Sequence, residues 1–216
     1  PEIEVSVNVG TRNLAPNVFE VTLALNGTAK RGGEVVLRHQ TRPQLPEPDL
    51  WLAFAPVKKA RIDFIAEKAT ELGVSALQPV FTRYTSMTRV NVERLRANAL
   101  EAAEQTERLS VPAVAEPVTL AALLQAWPAG RHLLVCDEAG GGQPIAQALG
   151  ALDDNAKRSP WAVLTGPEGG FDRAELDQLR KLPFVISVGL GPRILRADTA
   201  ALAALACWQA LIGDWQ

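Results

Sequence analysis

The sequence predicts an α/β fold with a mainly parallel sheet, preceded by a small antiparallel β domain. From Leu50 onward, short apolar runs alternate with longer helical segments. Unbroken apolar strands separated by helices are typical of a parallel sheet that is covered on both faces. Residues 1–48 differ, because their apolar residues alternate with polar ones as in half-exposed strands. The length of 216 residues, 47% of them hydrophobic, allows a large core.

The first 48 residues contain three strand-like stretches, near residues 3–9, 18–23 and 35–37. Asn26-Gly27 and Arg31–Gly33 are predicted to form turns. Three prolines between Gln40 and Asp49 indicate a linker. We therefore expect two domains, at 1–48 and 49–216. The first is expected to be N-terminally incomplete, because Pro1 falls within strand-like sequence.

The second domain is predicted to alternate strands and helices. The predicted strands span residues 50–57, 76–81, 132–137, 161–165 and 184–188. The predicted helices lie near residues 59–72, 91–107, 119–126, 143–151, 172–181 and 198–212. In the first helix the buried stripe ends at Leu72, and Gly73 is a stop signal. Asp172 and Glu175 have the spacing of a capping box at the start of the fifth helix.

The last helical segment is unusual, because only Thr199 and Gln209 are polar between Thr199 and Ile212. A helix without a polar face must be buried on every side. The simplest cover is a second subunit, so the sequence predicts a homodimer that packs through this helix. With only 14 residues, the segment is too short to cross a bilayer, and we expect no membrane partner.

Charge and cysteine content exclude further classes. The net charge of −2 excludes a globally basic nucleic-acid binder, so any RNA contact must depend on local patches. Cys136 and Cys207 lie in apolar runs and are expected to be buried free thiols in a reducing, cytoplasmic compartment. The histidines His39 and His132 show no metal-ligand spacing, and we expect no metal.

Two glycine-rich segments predict a small-molecule site. Leu164–Phe171 and Gly189–Ala200 each follow an apolar strand and lead into a helix. If the two strands are parallel neighbours, both loops line one crevice, where open α/β sheets bind ligands. Glycines allow close approach of the backbone to a ligand. Neither segment has the spacing of a P-loop or of a dinucleotide fingerprint.

Charged residues near these segments are candidates for anion binding. Arg193 and Arg196 are placed to hold a carboxylate, a phosphate or an anionic base. The alternative is that they pair with Glu168 or Asp198. Further candidates for phosphate contacts, or for a merely solvated charged face, are Lys58, Lys59, Arg61, Lys68, Arg83 and Arg89.

Three motifs in this order resemble the ribosomal RNA small subunit methyltransferase E family. They are Lys68–Val74, Gly166–Phe171, and Leu190–Arg196 together with Asp198–Ala200. Members of this family belong to the SPOUT class and methylate N3 of a uridine in 16S ribosomal RNA. The resemblance implies S-adenosylmethionine as methyl donor, a homodimer with its active site near the interface, a C-terminal trefoil knot and an N-terminal PUA-like RNA-binding domain. The expected partner is 16S ribosomal RNA or the small ribosomal subunit.

The resemblance also implies roles for individual residues. Cofactor-binding positions are Cys136, Leu164, Thr165, Gly166, Glu168, Gly169, Gly170, Val188, Gly189, Leu190, Gly191, Ile194, Leu195 and Thr199, with Cys136–Glu138 at the end of a third strand. Apolar members such as Leu164 and Ile194 are expected to flank the adenine. Arg196 is a candidate to stabilise the uracil anion, and Asp198 or Glu168 is a candidate to accept the proton that leaves uracil N3. A non-catalytic RNA-binding protein of the same fold, or a methyltransferase of the same class acting on transfer RNA, stays open as an alternative.

Overall fold

The computed structural model describes residues 18–25, 29–36 and 45–215. The chain divides into two units, Pro1–Pro46 and Glu47–Gln216. In the first unit, strand β1 (Val18–Leu25) pairs antiparallel with β2 (Ala29–Val36). The described part of this unit is thus one antiparallel hairpin. The predicted strand at 3–9 and most of the predicted linker lie outside the described residues.

The predicted turn at Arg31–Gly33 is wrong. Arg31 pairs with Leu23 and Gly33 with Val21, so both lie inside β2. The two strands pair in one continuous register, from Val18 with Val36 to Leu25 with Ala29. The chain therefore reverses direction once, between residues 25 and 29, and not again at Arg31–Gly33. Glycine weakens a strand but does not exclude it from pairing.

The second unit alternates strands and helices in the predicted order. Its strands are β3 (Leu50–Phe54), β4 (Ala76–Phe81), β5 (Ala113–Val114), β6 (Val118–Thr119), β7 (His132–Cys136), β8 (Gln143–Pro144), β9 (Trp161–Thr165) and β10 (Val185–Gly189). Its helices are α1 (Lys59–Glu71), α2 (Val92–Gln105), α3 (Leu120–Gln125), α4 (Ile145–Gly150), α5 (Asp154–Arg158), α6 (Arg173–Leu179) and α7 (Ala197–Ile212). Every predicted strand and helix of this unit is present. None of the described helices is long and apolar enough to span a membrane.

The sheet is parallel throughout its described pairs. Its strand order is β5-β4-β3-β9-β7-β10-β8, and β6 pairs with β4 beside this path. The expectation that the two glycine-rich segments follow neighbouring strands needs correction, because β7 lies between β9 and β10. A crossover connection lets strands that are distant in sequence pair side by side, and strand neighbours cannot be derived from chain order alone.

Both faces of the sheet are covered, as the unbroken apolar strands predicted. Along β7, Leu134 and Cys136 point into a cluster formed with helices α1, α2, α4 and α7. Leu133 and Val135 point to the opposite face, into a cluster with α3 and α6. Successive side chains of one strand therefore serve two cores.

The contact between α1 and α7 depends on a buried glutamine. Gln209 is fully buried, and its Nε2 donates to the carbonyl oxygen of Leu72 at 2.7 Å, next to the end of α1. Its Oε1 accepts the N–H of Asp214 at 3.1 Å. Gly73 has φ +84°, and a Cβ at this position would lie 2.7 Å from Gln209 Nε2. The predicted helix stop is thus also a site of close packing between two helices.

Candidate active site

Most of the predicted site residues lie at one edge of the sheet. We call it the carboxyl edge, since it holds the C-terminal ends of β4, β3, β9, β7 and β10, which run parallel. The loops there are the β4 loop (82–91), the β3 loop (55–58), the β9 loop (166–172), the β7 loop (137–142) and the β10 loop (190–196). The two glycine-rich segments therefore flank the β7 loop, at the edge where parallel sheets bind ligands.

The β9 loop is tied to the β7 loop by Glu138. The N–H of Phe171 donates to Glu138 Oε1 at 2.6 Å. Gly170 has φ +73°, and a Cβ here would overlap the same carboxylate oxygen. Gly166 lies against the Phe171 ring, with 3.0 Å from its Cβ position to the nearest ring atom. Gly170 is thus favoured by its left-handed backbone and by the nearby carboxylate, and Gly166 by its tight packing on the Phe171 ring.

The β7 loop also passes tightly against β10. The N–H of Asp137 donates to the carbonyl oxygen of Val188 at 2.9 Å. A Cβ at Gly142 would overlap the backbone of Val188, so only glycine allows this approach. The buried carboxylate of Asp137 accepts from Arg180 Nη2 at 2.6 Å, which raises the pKa of Arg180. Sequence analysis did not single out Arg180, because its partner is distant along the chain.

The β10 loop is open to solvent. Gly191 has φ +101°, and no atom lies within 4 Å of the position that its Cβ would take. Ile194 is 92% exposed, which is unusual for an isoleucine. Arg193 and Arg196 are also exposed, whereas Leu190 and Leu195 are half-buried. This loop therefore exposes left-handed backbone, an apolar side chain and two guanidinium groups to solvent.

The two candidate carboxylates are held by the start of α1. The N–H of Lys58 donates to Glu168 Oε1 at 3.3 Å. Arg61 Nη1 donates to Asp198 at 3.2 Å (Oδ1) and 3.4 Å (Oδ2), in a partly buried ion pair. Neither carboxylate pairs with Arg193 or Arg196 among the described residues, so the alternative pairing predicted for those arginines is wrong.

The predicted phosphate contacts separate into three groups. Lys58, Arg83 and Arg89 are exposed at or near the carboxyl edge, and the side chain of Lys59 lies outside the described part of the structure. Arg61 is engaged by Asp198. Lys68 lies about 13 Å along α1 from its first residue. Its ammonium group contacts Glu67 and Glu71 at 2.7 Å each, which raises its pKa.

Several predicted cofactor residues are part of the hydrophobic core. Leu164 and Val188 are fully buried and pack against core residues on opposite faces of the sheet. Thr165 is also buried. Cys136 is buried as well, and its burial raises the pKa of its thiol to about 12. Only the main chain at these strand ends is available to a ligand, so the side chain of Leu164 is not placed to flank an adenine. Thr199, in contrast, is exposed in the first turn of α7.

Comparison with known proteins identifies the family. A family model described as an RNA methyltransferase domain matches residues 43–209. The small subunit methyltransferase E of Rickettsia conorii is 30% identical over 94% of this chain and 82% of its own length. That of Bacillus subtilis is 33% identical over 72% of this chain and 63% of its own. The structure of the Neisseria gonorrhoeae enzyme, bound to S-adenosyl methionine, is 28% identical over 92% of this chain and 79% of that chain, with a TM-score of 0.75. The chain therefore belongs to the ribosomal RNA small subunit methyltransferase E family.

Proposed function

We propose that this chain transfers a methyl group from S-adenosylmethionine to N3 of a uridine in 16S ribosomal RNA. One observation carries this proposal: both glycine-rich loops of the family motif flank the β7 loop at the carboxyl edge. Glu138, in the β7 loop, joins that loop to the β9 loop. The Neisseria relative, which is bound to S-adenosyl methionine, supports the choice of cofactor. The substrate follows from the names of the relatives and from the motif resemblance.

The residues of the carboxyl edge fit such a cofactor. The open backbone at Gly191 and the exposed Ile194 offer polar main-chain groups next to an apolar surface, which suits an adenine ring. When bound, S-adenosylmethionine supplies an electrophilic methyl group on a sulfonium. Holding it needs no covalent bond from the protein, so the main task of both loops is to orient the donor and to exclude water.

Arg196 and Glu168 act on the uracil in this proposal. N3 of uracil is a poor nucleophile until its proton leaves, and a nearby cation stabilises the resulting anion. Arg196 is exposed and has no carboxylate partner among the described residues, so its guanidinium is free to contact a uracil oxygen. Among the described residues Glu168 accepts one long bond, from Lys58 to Oε1, which leaves Oε2 available to take the proton. Asp198 is less suited, because Arg61 engages both of its oxygens.

RNA binding at this edge would use exposed cations. Lys58, Arg83, Arg89 and Arg193 are exposed on the loops that surround the proposed cofactor position. Contacts between such side chains and phosphates orient RNA without reading its sequence. Lys68 is left out, because two glutamates already engage it. A substrate in the small ribosomal subunit places the proposed activity in the cytoplasm.

The outer face of α7 supports a homodimer. Leu202, Ala203 and Ala206 are half-exposed, and Ala210 is exposed, while the opposite face of the helix packs in the core. Water-exposed apolar residues at helical spacing favour packing against another helix. A second copy of this chain is the proposed occupant. Sedimentation should give a dimer at micromolar concentration, and Ala206→Glu should convert it to a monomer.

The path of the β7 loop supports the trefoil knot of the SPOUT class. The chain leaves β7 and returns to the sheet as β8 on the far side of β10, so it must cross the end of β10. The residues after β10 then lead into α7, which packs on α1 and α4. The close approach of Gly142 to Val188 fits such a crossing. Threading of this kind is rare among known folds, and we propose it here.

We likewise propose that the N-terminal domain is PUA-like and that it binds RNA.

Mass spectrometry of 16S ribosomal RNA tests the function directly. A deletion strain should lose one N3-methyluridine, and expression of the full protein should restore it. Arg196→Ala should bind S-adenosylmethionine normally but restore little of the modification. Arg158→Ala, an exposed arginine on α5, is the matched control and should restore it fully. If the deletion leaves every N3-methyluridine in 16S ribosomal RNA unchanged, the proposed substrate is wrong.

A further inference from the structure

An exposed aromatic side chain is fixed in one position on the carboxyl edge. Tyr84, the only tyrosine of the chain, lies in the β4 loop with half of its surface exposed. Its hydroxyl donates to Asp172 Oδ2 at 2.9 Å. At its other end, the Tyr84 Cβ lies 3.2 Å from the position that a Cβ on Gly169 would take. The hydroxyl bond therefore fixes the far end of the ring, the near end lies close to Gly169, and half of the side chain is exposed.

The backbone that carries Tyr84 is equally well fixed. The N–H of Thr82 donates to Thr85 Oγ1 at 2.9 Å, and the N–H of Thr85 donates to the Thr82 carbonyl at 3.1 Å. These bonds close a turn with Arg83 and Tyr84 at its tip. The N–H of Arg83 donates to Glu175 Oε1 at 2.9 Å, which joins the turn to α6.

The anchor of the Tyr84 hydroxyl is part of a helix cap. Asp172 accepts the N–H of Ala174 at 2.9 Å, and Glu175 completes the capping box. The hydrogen bond from Tyr84 lowers the pKa of Asp172, and the same bond raises the pKa of Tyr84. At neutral pH the phenol is therefore protonated and the carboxylate ionised, so the bond is intact.

The surroundings of Tyr84 indicate a ligand with an aromatic part and a negative charge. Gly169, which Tyr84 contacts, belongs to the loop that holds the cofactor in the proposed function. The guanidinium of the adjacent Arg83 is exposed and has no ion-pair partner within the described residues. Proteins that bind single-stranded RNA combine exposed rings, on which bases stack, with cations that contact phosphates. A ring that is already ordered loses little entropy when a base stacks on it.

We propose that Tyr84 and Arg83 form a stacking subsite for an unpaired base of the RNA next to the target uridine. The ring stacks on the base, and the Arg83 guanidinium contacts the neighbouring phosphate. This inference rests on the proposed function, since it describes how the same site holds its RNA. Loss of one stacked base weakens RNA binding by about 5- to 150-fold.

The test compares Tyr84→Ala with Tyr84→Phe in the full-length protein. The substrate in the assay is the small ribosomal subunit, purified from a strain that lacks the modification. Tyr84→Ala should raise KM for the subunits by about tenfold, with kcat and the Kd for S-adenosylmethionine unchanged. Tyr84→Phe keeps the ring and loses only the hydroxyl, so its KM should stay close to the wild-type value. Phe64→Ala, which removes another exposed ring, is the control and should leave KM unchanged.

Two results would overturn the inference. One is an unchanged KM in Tyr84→Ala. The other is equal damage in Tyr84→Phe and Tyr84→Ala together with weaker cofactor binding, because that pattern belongs to a structural tether. Binding of an oligouridine and of an abasic oligomer of equal length separates this inference from the proposed function. Even if the wild-type protein transfers no methyl group, Tyr84→Ala should abolish its preference for the oligomer that carries bases; a preference kept in the variant would refute the stacking subsite.

Discussion

Substitution of Gly170 by alanine tests whether the β9 and β7 loops form one wall of the site. The residue has φ +73°, a left-handed conformation that costs a non-glycine residue about 1–2 kcal/mol. The new Cβ would also overlap Glu138 Oε1. Glu138 is exposed and can swing away, but it then loses the 2.6 Å bond from the N–H of Phe171, worth about 1.5 kcal/mol at the low end for a charged acceptor. Together the two effects destabilise the protein by about 3 kcal/mol, or about 6–12 °C in Tm.

Gly130→Ala is the matched control for this substitution. Gly130 has φ +79°, and nothing lies within 4 Å of its Cβ position, so it has the backbone cost without the overlap. It precedes β7, at the opposite edge of the sheet. Urea denaturation should show a loss of about 1–2 kcal/mol for Gly130→Ala and a larger loss for Gly170→Ala. Calorimetry should show at least about tenfold weaker binding of S-adenosylmethionine for Gly170→Ala only, a loss of about 1.4 kcal/mol. Wild-type cofactor affinity in Gly170→Ala would refute the proposed role of the joined loops.

Three further predictions concern residues around the site and the core. Arg61→Ala should cost about 1 kcal/mol of stability, since its pair with Asp198 is partly exposed, and should lower methyl transfer; Arg94→Ala, which breaks the ion pair with Asp63, should cost a similar amount without changing transfer. Gln209→Leu removes the donor to the buried Leu72 carbonyl and should cost about 1–3 kcal/mol in urea denaturation; a loss below about 0.5 kcal/mol would contradict this. The pKa of Cys136 is raised from 9.0 to about 12 by burial, so the folded thiol should resist alkylation at pH 8. Its contribution to stability should be complete below pH 9 and lost as the pH rises toward 12, and Cys136→Ala should remove that part of the pH dependence.

The second unit was predictable because its signals are local. Unbroken apolar runs such as Trp161–Thr165 and the capping box at Asp172 depend only on nearby residues, and they predicted the long elements correctly. The missed elements β5, β6 and β8 have two residues each, and α5 has five. Their existence depends on neighbouring strands or on packing, which leaves no periodic pattern in the sequence.

The site was predictable in outline, because glycine-rich loops after parallel strands must meet at one edge. The finer contacts were not. Phe171 and Glu138 are 33 residues apart, Asp137 and Arg180 are 43 apart, and Tyr84 and Asp172 are 88 apart. No local pattern pairs such residues. The expectation that Leu164 flanks an adenine needed the direction of its side chain, which a position in a motif does not tell; that side chain lies in the core.

The start of α1 engages the two candidate carboxylates in different ways. Lys58 and Glu168 are 110 residues apart, and Arg61 and Asp198 are 137 apart, yet the two donors are only three positions apart, at the N-cap and in the first turn of α1. One rigid turn therefore fixes the distance between the β9 loop and the start of α7. Arg61 engages both oxygens of Asp198, whereas a backbone N–H engages one oxygen of Glu168. A carboxylate whose two oxygens both face a guanidinium is suited to positioning, and one with a free oxygen is suited to accepting a proton. In the proposed function, this pattern of donors favours structural support for Asp198 and proton acceptance for Glu168.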